Sequence, residues 1–323
     1  MTDSNELYDI AILGGGPGGM TAGLYAARGE MKALLLDKGA LGGAVLLSEK
    51  YDNFPGYPGG IGSFELARRI EQHLREFEIE IRTDNVVGLR HYNSSPLFEI
   101  EAEDRTYYSK SVVLATGTTP RRLPAKNADK LFGRGVSTCA VCDGAFYKGK
   151  PLAVIGGGDA ACEEGVYLTR YATKVYIIHR RDELRAKAEL ANEARENEKV
   201  EFIMDSVPEE IIGDVKVEGL KIANVKTGEE TVLDVAGVFV YIGSLGNSDF
   251  IELPIKRSEH GHVYTDALGE TGVPGLYAIG DLRSEPFNQA IIACGQGAQA
   301  ALMADKYNKT IPAEALEKFA AKV

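Results

Sequence analysis

The chain has 323 residues, 44% hydrophobic and 26% charged, an ordinary composition for a folded protein and, at this length, one that predicts two domains. Its formal net charge is −11, from 36 basic and 47 acidic side chains, which argues against nucleic acid or an anionic membrane surface as partner, because both attract basic proteins. No apolar run approaches the ~18 residues of a membrane span, and the acidic start MTDSNELYDI lacks the basic-then-apolar order of a secretory leader, so the expected location is the cytoplasm.

In chain order, the first element is a β-branched apolar run, Asp9 to Leu13, feeding a glycine-rich turn, Gly14-Gly15-Gly16-Pro17-Gly18-Gly19. An Ala-rich stretch from Met20 to Arg28 reads as a helix, and Lys32 to Leu36 as a second strand. Strand, turn, helix and strand make a βαβ unit of dinucleotide-binding size. In such a unit the first glycine permits the tight turn, the second lets backbone approach a pyrophosphate, and the third lets helix and strand pack closely. The pyrophosphate then sits on the unpaired N–H groups of the helix start. Asp37, 23 residues after Gly14, is the acid expected to accept hydrogen bonds from a ribose diol. A phosphate on that ribose would be repelled, so this unit predicts FAD or NAD.

Further on, Ser111 to Leu114 reads as a buried strand ending in the small-residue turn Ala115-Thr116-Gly117. Cys139-Ala140-Val141-Cys142 follows, with Asp143 next to it. In a large chain of this location a disulfide scaffold is not expected, and the pair reads as redox chemistry. The two-residue spacer permits a readily exchanged disulfide and a depressed thiol pKa. No second CxxC exists and the five histidines show no ligand spacing, so a structural zinc site is not expected. Asp143 suits either protonation of a leaving thiolate or the cap of a turn. Cys162 and Cys294 read as core-facing.

The first motif recurs 142 residues on, from Gly14 to Gly156. Leu152 to Ile155 leads into Gly156-Gly157-Gly158-Asp159-Ala160-Ala161, a helix from Cys162 to Arg170, and a strand from Lys174 to Ile178. Ala161 in place of the third glycine is an accepted variant. At the ribose corner this copy has no acid. It has His179-Arg180-Arg181, with Arg185 four residues later, and guanidinium forks suit a 2′-phosphate. The alternative is a solvated basic helix start balanced by Asp182 and Glu183. The second unit therefore predicts NADP. Flavin plus nicotinamide in one chain suggests electron transfer between them. Gly275 to Gly280 reads as another strand, and Asp281 either as a ligand of a ribityl hydroxyl or as a helix N-cap. Nicotinamide and disulfide then share one domain and must both reach one flavin, which predicts swinging of that domain. Gly117-Thr118-Thr119-Pro120 and Gly243-Ser244-Leu245-Gly246-Asn247 are the expected hinges. The tail from Ile311 reads as a short amphipathic helix, free to pack on a partner subunit or fray.

With these motifs on the page, the sequence resembles the low-molecular-weight, bacterial-type thioredoxin reductases over about residues 7 to 305. The carrying motifs are Gly14–Gly19, Asn53-Phe54-Pro55-Gly56, Ala115-Thr116-Gly117, Cys139 to Asp143, Gly156 to Ala161, His179 to Arg181 with Arg185, and Gly280-Asp281. The CxxC just before the second glycine turn is the most specific. The resemblance implies an α/β fold of two Rossmann-like domains. An NADPH domain over 119–245, carrying the CxxC, is inserted into a discontinuous FAD domain formed by 1–118 and 246–323. It implies that Gly14, Gly16, Pro17, Gly18, Asp37, Lys38, Gly42, Gly43, Ala44, Asn53, Val87, Ala115, Thr116, Gly117, Asp281, Gln289 and Ala290 hold FAD. It implies that Gly156, Gly158, Asp159, Ala160, His179, Arg180, Arg181 and Arg185 hold NADPH. Cys139 and Cys142 would form the redox disulfide, Cys142 nearest the flavin, with Asp143 as its acid. Electrons would run from NADPH to FAD, to the disulfide, to thioredoxin, in a homodimer. Alternatives are a flavin reductase acting on another disulfide, one using ferredoxin as donor, or a redox sensor holding flavin without turnover. Two positions depart from the family: Ala44 stands where Gln is common, and Asn288 where Arg is common.

Overall fold

The structure, a computed structural model, describes residues 6–47, 50–285 and 287–321; Met1 to Asn5, the first half of the segment scanned for a leader, lie outside it. β1 (Leu7–Leu13) runs parallel to β2 (Ala33–Asp37), Ile10 opposite Ala33 and Leu13 opposite Leu36, with α1 (Pro17–Arg28) as the crossover. Far along the chain, β3 (Pro151–Ile155) and β4 (Lys174–Ile178) repeat this pairing across α2 (Asp159–Leu168). Both helices begin three residues before the sequence expectation, on the glycine turns themselves. Pro17 fits a first helical position, where its missing N–H is no loss, and Gly18 and Gly19 are buried in the helix face.

Each pair lies in its own sheet. The first sheet runs Glu80–Thr83, β2, β1, Thr106–Leu114, Leu276–Ala278, all parallel, with Phe98–Ala102 and Val86–His91 added antiparallel along the first half of Thr106–Leu114. The second runs Val200–Ile203, β4, β3, Gly237–Val240, Val136–Ser137, also all parallel. Ahead of its fourth strand lies an antiparallel trio, Ser206–Ile212, Gly219–Asn224 and Glu230–Leu233. The strand order of the two parallel cores is therefore the same, and the repeat extends well beyond the glycine motifs. Successive strand residues point to opposite faces, so Ala11, Leu13, Leu34 and Leu36 fill one core and Ile10, Ile12, Ala33 and Leu35 the other. Helix cover on a parallel sheet explains why its strands are apolar throughout rather than alternating.

The copies differ in where the fifth strand comes from. In the first sheet it follows the others and leads into Gly280-Asp281; in the second it precedes them and leads into Cys139. The acid turn and the dithiol thus occupy equivalent corners of the two sheets. The chain passes between the sheets twice, at Thr118–Pro120 and Ser244–Gly246, and the two passages pair antiparallel as a ribbon. The long helix α3 (Ala290–Asn308) crosses α1 at glycines: a Cβ on Gly18 would stand 3.0 Å from the carbonyl of Ala293. The expected helix spans Ala313–Ala320, and its buried Phe319 packs edge-on against Tyr92 and Tyr108 of the same chain, ring centres 5.4 and 5.2 Å away.

Candidate active site

Both glycine turns are shaped for a phosphate. Gly14 has φ +110° and Gly156 φ +152°, left-handed backbone that side chains avoid. At Gly14 a Cβ would collide with the carbonyl of Ala115, and at Gly156 it would stand 2.5 Å from that of Tyr241. Gly16 and Gly158 are the opposite case: a Cβ there would meet nothing within 4 Å. Each is the N-cap of its helix, and neither helix has a side-chain cap. Open space in front of uncapped N–H groups is the arrangement that accepts an anion.

The two ribose corners have opposite chemistry. Asp37 accepts the Gly15 N–H at 2.6 Å and the Gly39 N–H at 2.9 Å, which fixes its carboxylate at the end of β2. In the second copy His179 replaces it, buried at 5% exposure beneath Gly157. Burial, and then the nearby Arg185, Arg181 and Arg180, hold its imidazole below the ordinary pKa, against a hydrogen bond that the ring donates to the Glu183 backbone carbonyl. Around it Arg180, Arg181 and Arg185 are exposed and none forms an ion pair among the described residues. Asp182, expected as a balancing charge, instead pairs with Lys226 at 2.9 Å. Three free guanidinium groups are left at this corner. Asp159, at the helix start, turns its carboxylate to the N–H of Lys187 at 2.7 Å. Ala160 is exposed beside it.

The flavin-side residues from the sequence gather less uniformly. Pro17, Gly18, Gly42 and Gly43 sit with Gly16 at the start of α1, Gly43 so close that its Cβ would stand 3.0 Å from Gly16 Cα. Ala115, Thr116 and Gly117 follow the C-terminal end of a parallel strand, half-buried. Asn53 donates to Gln289 at 3.2 Å, and the Gly280 N–H donates to Gln296 at 2.7 Å. Burial raises the Asp281 carboxyl above the ordinary range. Lys38 and Ala44 are exposed, and Val87 lies 46% exposed on the strand that follows the Asp37 corner.

Cys139 and Cys142 are joined as a disulfide. Cys139 caps the four-residue helix Ala140–Asp143, its sulfur accepting the Cys142 N–H at 3.2 Å. Cys142 faces the other domain, packed on the cluster of Val45, Tyr51, Ile61 and Leu66 beside Ala290. Asp143 is buried and accepts the Ser137 hydroxyl at 2.6 Å, and Ser137 in turn accepts the Cys139 N–H at 3.1 Å. Burial raises the Cys162 and Cys294 thiols, so neither is poised as a thiolate. Sequence reading missed Ser137, Gln296 and Tyr241, whose hydroxyl accepts the Ala140 N–H at 2.7 Å. A hydroxyl two residues before a CxxC was a usable signal for Ser137; Tyr241, 101 residues away, had none.

Comparison with known proteins agrees with this geometry. The pattern of the family described as pyridine nucleotide-disulphide oxidoreductase matches residues 8–297. A thioredoxin reductase of Listeria monocytogenes is 40% identical, with 100% of each chain covered. The crystal structure of thioredoxin reductase from Streptococcus pyogenes, 40% identical, superimposes with a TM-score of 0.89 over 95% of this chain and 100% of its own. A Lactococcus lactis thioredoxin reductase in what is described as the FR conformation is 42% identical over 94% of this chain and 99% of its own, yet its TM-score is 0.64.

Proposed function

Since the chain belongs to the pyridine nucleotide-disulphide oxidoreductase family, we propose that it is a thioredoxin reductase, taking electrons from NADPH and passing them through FAD and the Cys139–Cys142 disulfide to the disulfide of a thioredoxin. The observation that carries this reading is the seating of that disulfide, at the end of the sheet that holds one nucleotide turn and against the domain that holds the other. The open cradle at Gly16 and the fixed Asp37 carboxylate support an adenosine ribose without phosphate there; the unpaired Arg180, Arg181 and Arg185 support NADPH at the second turn. Bound flavin supplies the two electrons that open the disulfide.

The chain's own residues then do the exchange. Cys142, packed toward the flavin domain, is the sulfur placed to receive electrons, and Cys139 is the one left for substrate. In the reduced pair the Cys139 thiolate attacks one sulfur of the substrate disulfide. A bond forms between the two proteins, the substrate's own S–S bond breaks, and its leaving sulfur takes a proton. Cys142, deprotonated, attacks Cys139 and restores the disulfide; the bond between the two proteins breaks, and the second substrate sulfur leaves and takes a proton in turn, so that the substrate departs as a dithiol. Asp143, beside the pair and held by Ser137, is the group placed to hold that proton. We assign the domains as 1–118 with 246–323 for FAD and 119–245 for NADPH, and include a second copy of the chain as partner, which exposed Ile291 and Leu302 on α3 support. The described residues contain no helix long and apolar enough to cross a membrane, in keeping with a proposed cytoplasmic location. The test is an anaerobic titration of the purified flavin-loaded protein. Bleaching of flavin absorbance by NADPH, reversed by oxidised thioredoxin, is expected; no bleaching overturns the donor, and bleaching without reversal overturns the acceptor.

A further inference from the structure

The helix Ala140–Asp143 is too short to hold itself. The first N–H groups of a helix lack intrahelical acceptors, and one turn fixes several residues for a single hydrogen bond. Here the Cys142 N–H goes to the Cys139 sulfur, 3.2 Å, and the Asp143 N–H to the Cys139 carbonyl, 3.1 Å. The Ala140 N–H goes to the hydroxyl of Tyr241. Tyr241 is itself firmly placed. Its N–H donates to Ile155 at 2.8 Å, and its ring joins the core around Ala140, Leu152 and Cys162. Burial first, and then the facing carboxylates of Glu164 and Asp143, raise its phenol well above the ordinary pKa, against the Ala140 N–H. The Glu164 Oε2 is buried with no hydrogen-bond partner among the described residues. The core around it thus holds the hydroxyl in place as the acceptor for Ala140.

We propose that Tyr241 is a positioning residue for the dithiol: by holding the first turn of the Ala140–Asp143 helix, its hydroxyl keeps the Cys142 N–H on the Cys139 sulfur and so favours the Cys139 thiolate. The proposal rests on the disulfide-exchange reading above, and nothing in the CxxC motif itself points to it. A hydrogen bond from a backbone N–H favours a thiolate over a thiol. Without the phenol oxygen the Ala140 N–H is left without an acceptor, the turn loosens, and that bond weakens.

The test reads the thiol directly. Flavin-loaded full-length protein is reduced with dithiothreitol under nitrogen, alkylated with iodoacetamide across a pH series, and Cys139 is followed by peptide mass spectrometry. Tyr241→Phe, with bound flavin equal to the parent, is expected to raise the midpoint of Cys139 alkylation by about one pH unit and to slow thioredoxin reduction near neutral pH roughly tenfold. Ala140→Pro removes the donor at a first helical position, where proline is tolerated, so adding Tyr241→Phe to it is expected to change the midpoint no further. An unmoved midpoint in Tyr241→Phe overturns the proposal, and so does an equal shift in the Ala140→Pro background. A parent protein that NADPH bleaches but that does not reduce thioredoxin removes the substrate assignment alone, since the alkylation midpoint needs no substrate.

Discussion

At the scale of single residues, the proposed assignment of the two nucleotides rests on the opposite chemistry of the two ribose corners. Asp37 accepts one backbone N–H on each carboxylate oxygen, which aims the group at the first turn and leaves acceptor sites for a ribose diol. Arg180, Arg181 and Arg185 have no ion-pair partner among the described residues, so their charge is available to a 2′-phosphate. Replacing all three by Gln is expected to raise KM for NADPH by about 100-fold or more, as each charge-assisted bond contributes roughly 1.5–3 kcal/mol, while KM for NADH changes by no more than about threefold. Equal losses for both nucleotides in steady-state assays would remove the phosphate from this corner. His179 beneath them carries a pH signature. Its folded pKa is depressed, mainly by burial, so below the ordinary histidine value of about 6.5 the unfolded chain binds more protons than the folded one. Stability present above that pH is then lost as the pH falls toward the native pKa. Thermal unfolding of His179→Gln is expected to show a smaller drop between pH 7.5 and 5.5 than the parent, and an identical drop would show that His179 does not titrate on unfolding.

At the scale of elements, the glycine turns separate space reserved for the fold from space reserved for a ligand. A Cβ on Gly19 would strike the carbonyl of Gly14, whereas Gly16 and Gly158 have open space and ordinary backbone, φ −70° and −98°. Gly19→Ala is expected to lower stability by about 1–3 kcal/mol and to lose flavin with it. Gly158→Ala is expected to hold the melting temperature of the nucleotide-free protein, a change within about 0.5 kcal/mol, yet weaken NADPH binding measured by calorimetry; an unchanged Kd would mean that no ligand occupies the space. These turns were legible in the sequence because glycine needs and strand periodicity are local. The spacing of 23 residues to Asp37 and to His179 was legible for the same reason. The shared five-strand order was not, since one of its strands is the two-residue Val136–Ser137, too short to carry a pattern. The hold of Tyr241 on Ala140 and the diversion of Asp182 to Lys226 depend on distant residues meeting. Phe319 lay in a segment whose amphipathic pattern says that one face is covered, not by what.

For the whole molecule, the disulfide stands between two demands that one arrangement cannot meet. Cys142 is packed against Val45, Tyr51, Ile61 and Leu66, so under the proposed electron path a protein substrate and the nicotinamide would both need that contact to open. The chain passes between the two sheets through the ribbon of Thr118–Pro120 and Ser244–Gly246, and a rotation about it would move one sheet as a body. Two relatives of nearly equal identity superimpose at 0.89 and 0.64, a spread that identity does not explain. The closed contact also brings Gly133 of the second domain against Leu47 of the first: a Cβ on Gly133 would stand 2.8 Å from the Leu47 carbonyl. A Leu47→Cys, Gly133→Cys protein joined by a short dimaleimide, with the native pair kept oxidised during labelling, is therefore held in this arrangement. Its turnover from NADPH to thioredoxin is expected to fall by more than about 90%, because the lids and domains that gate such sites must open in every cycle. The same double variant without the linker controls for the strain of a side chain at Gly133, φ +73°, and is expected to turn over. Undiminished turnover in the linked protein would mean that electrons reach the substrate without rotation, and the ribbon would then be a tether rather than an axis.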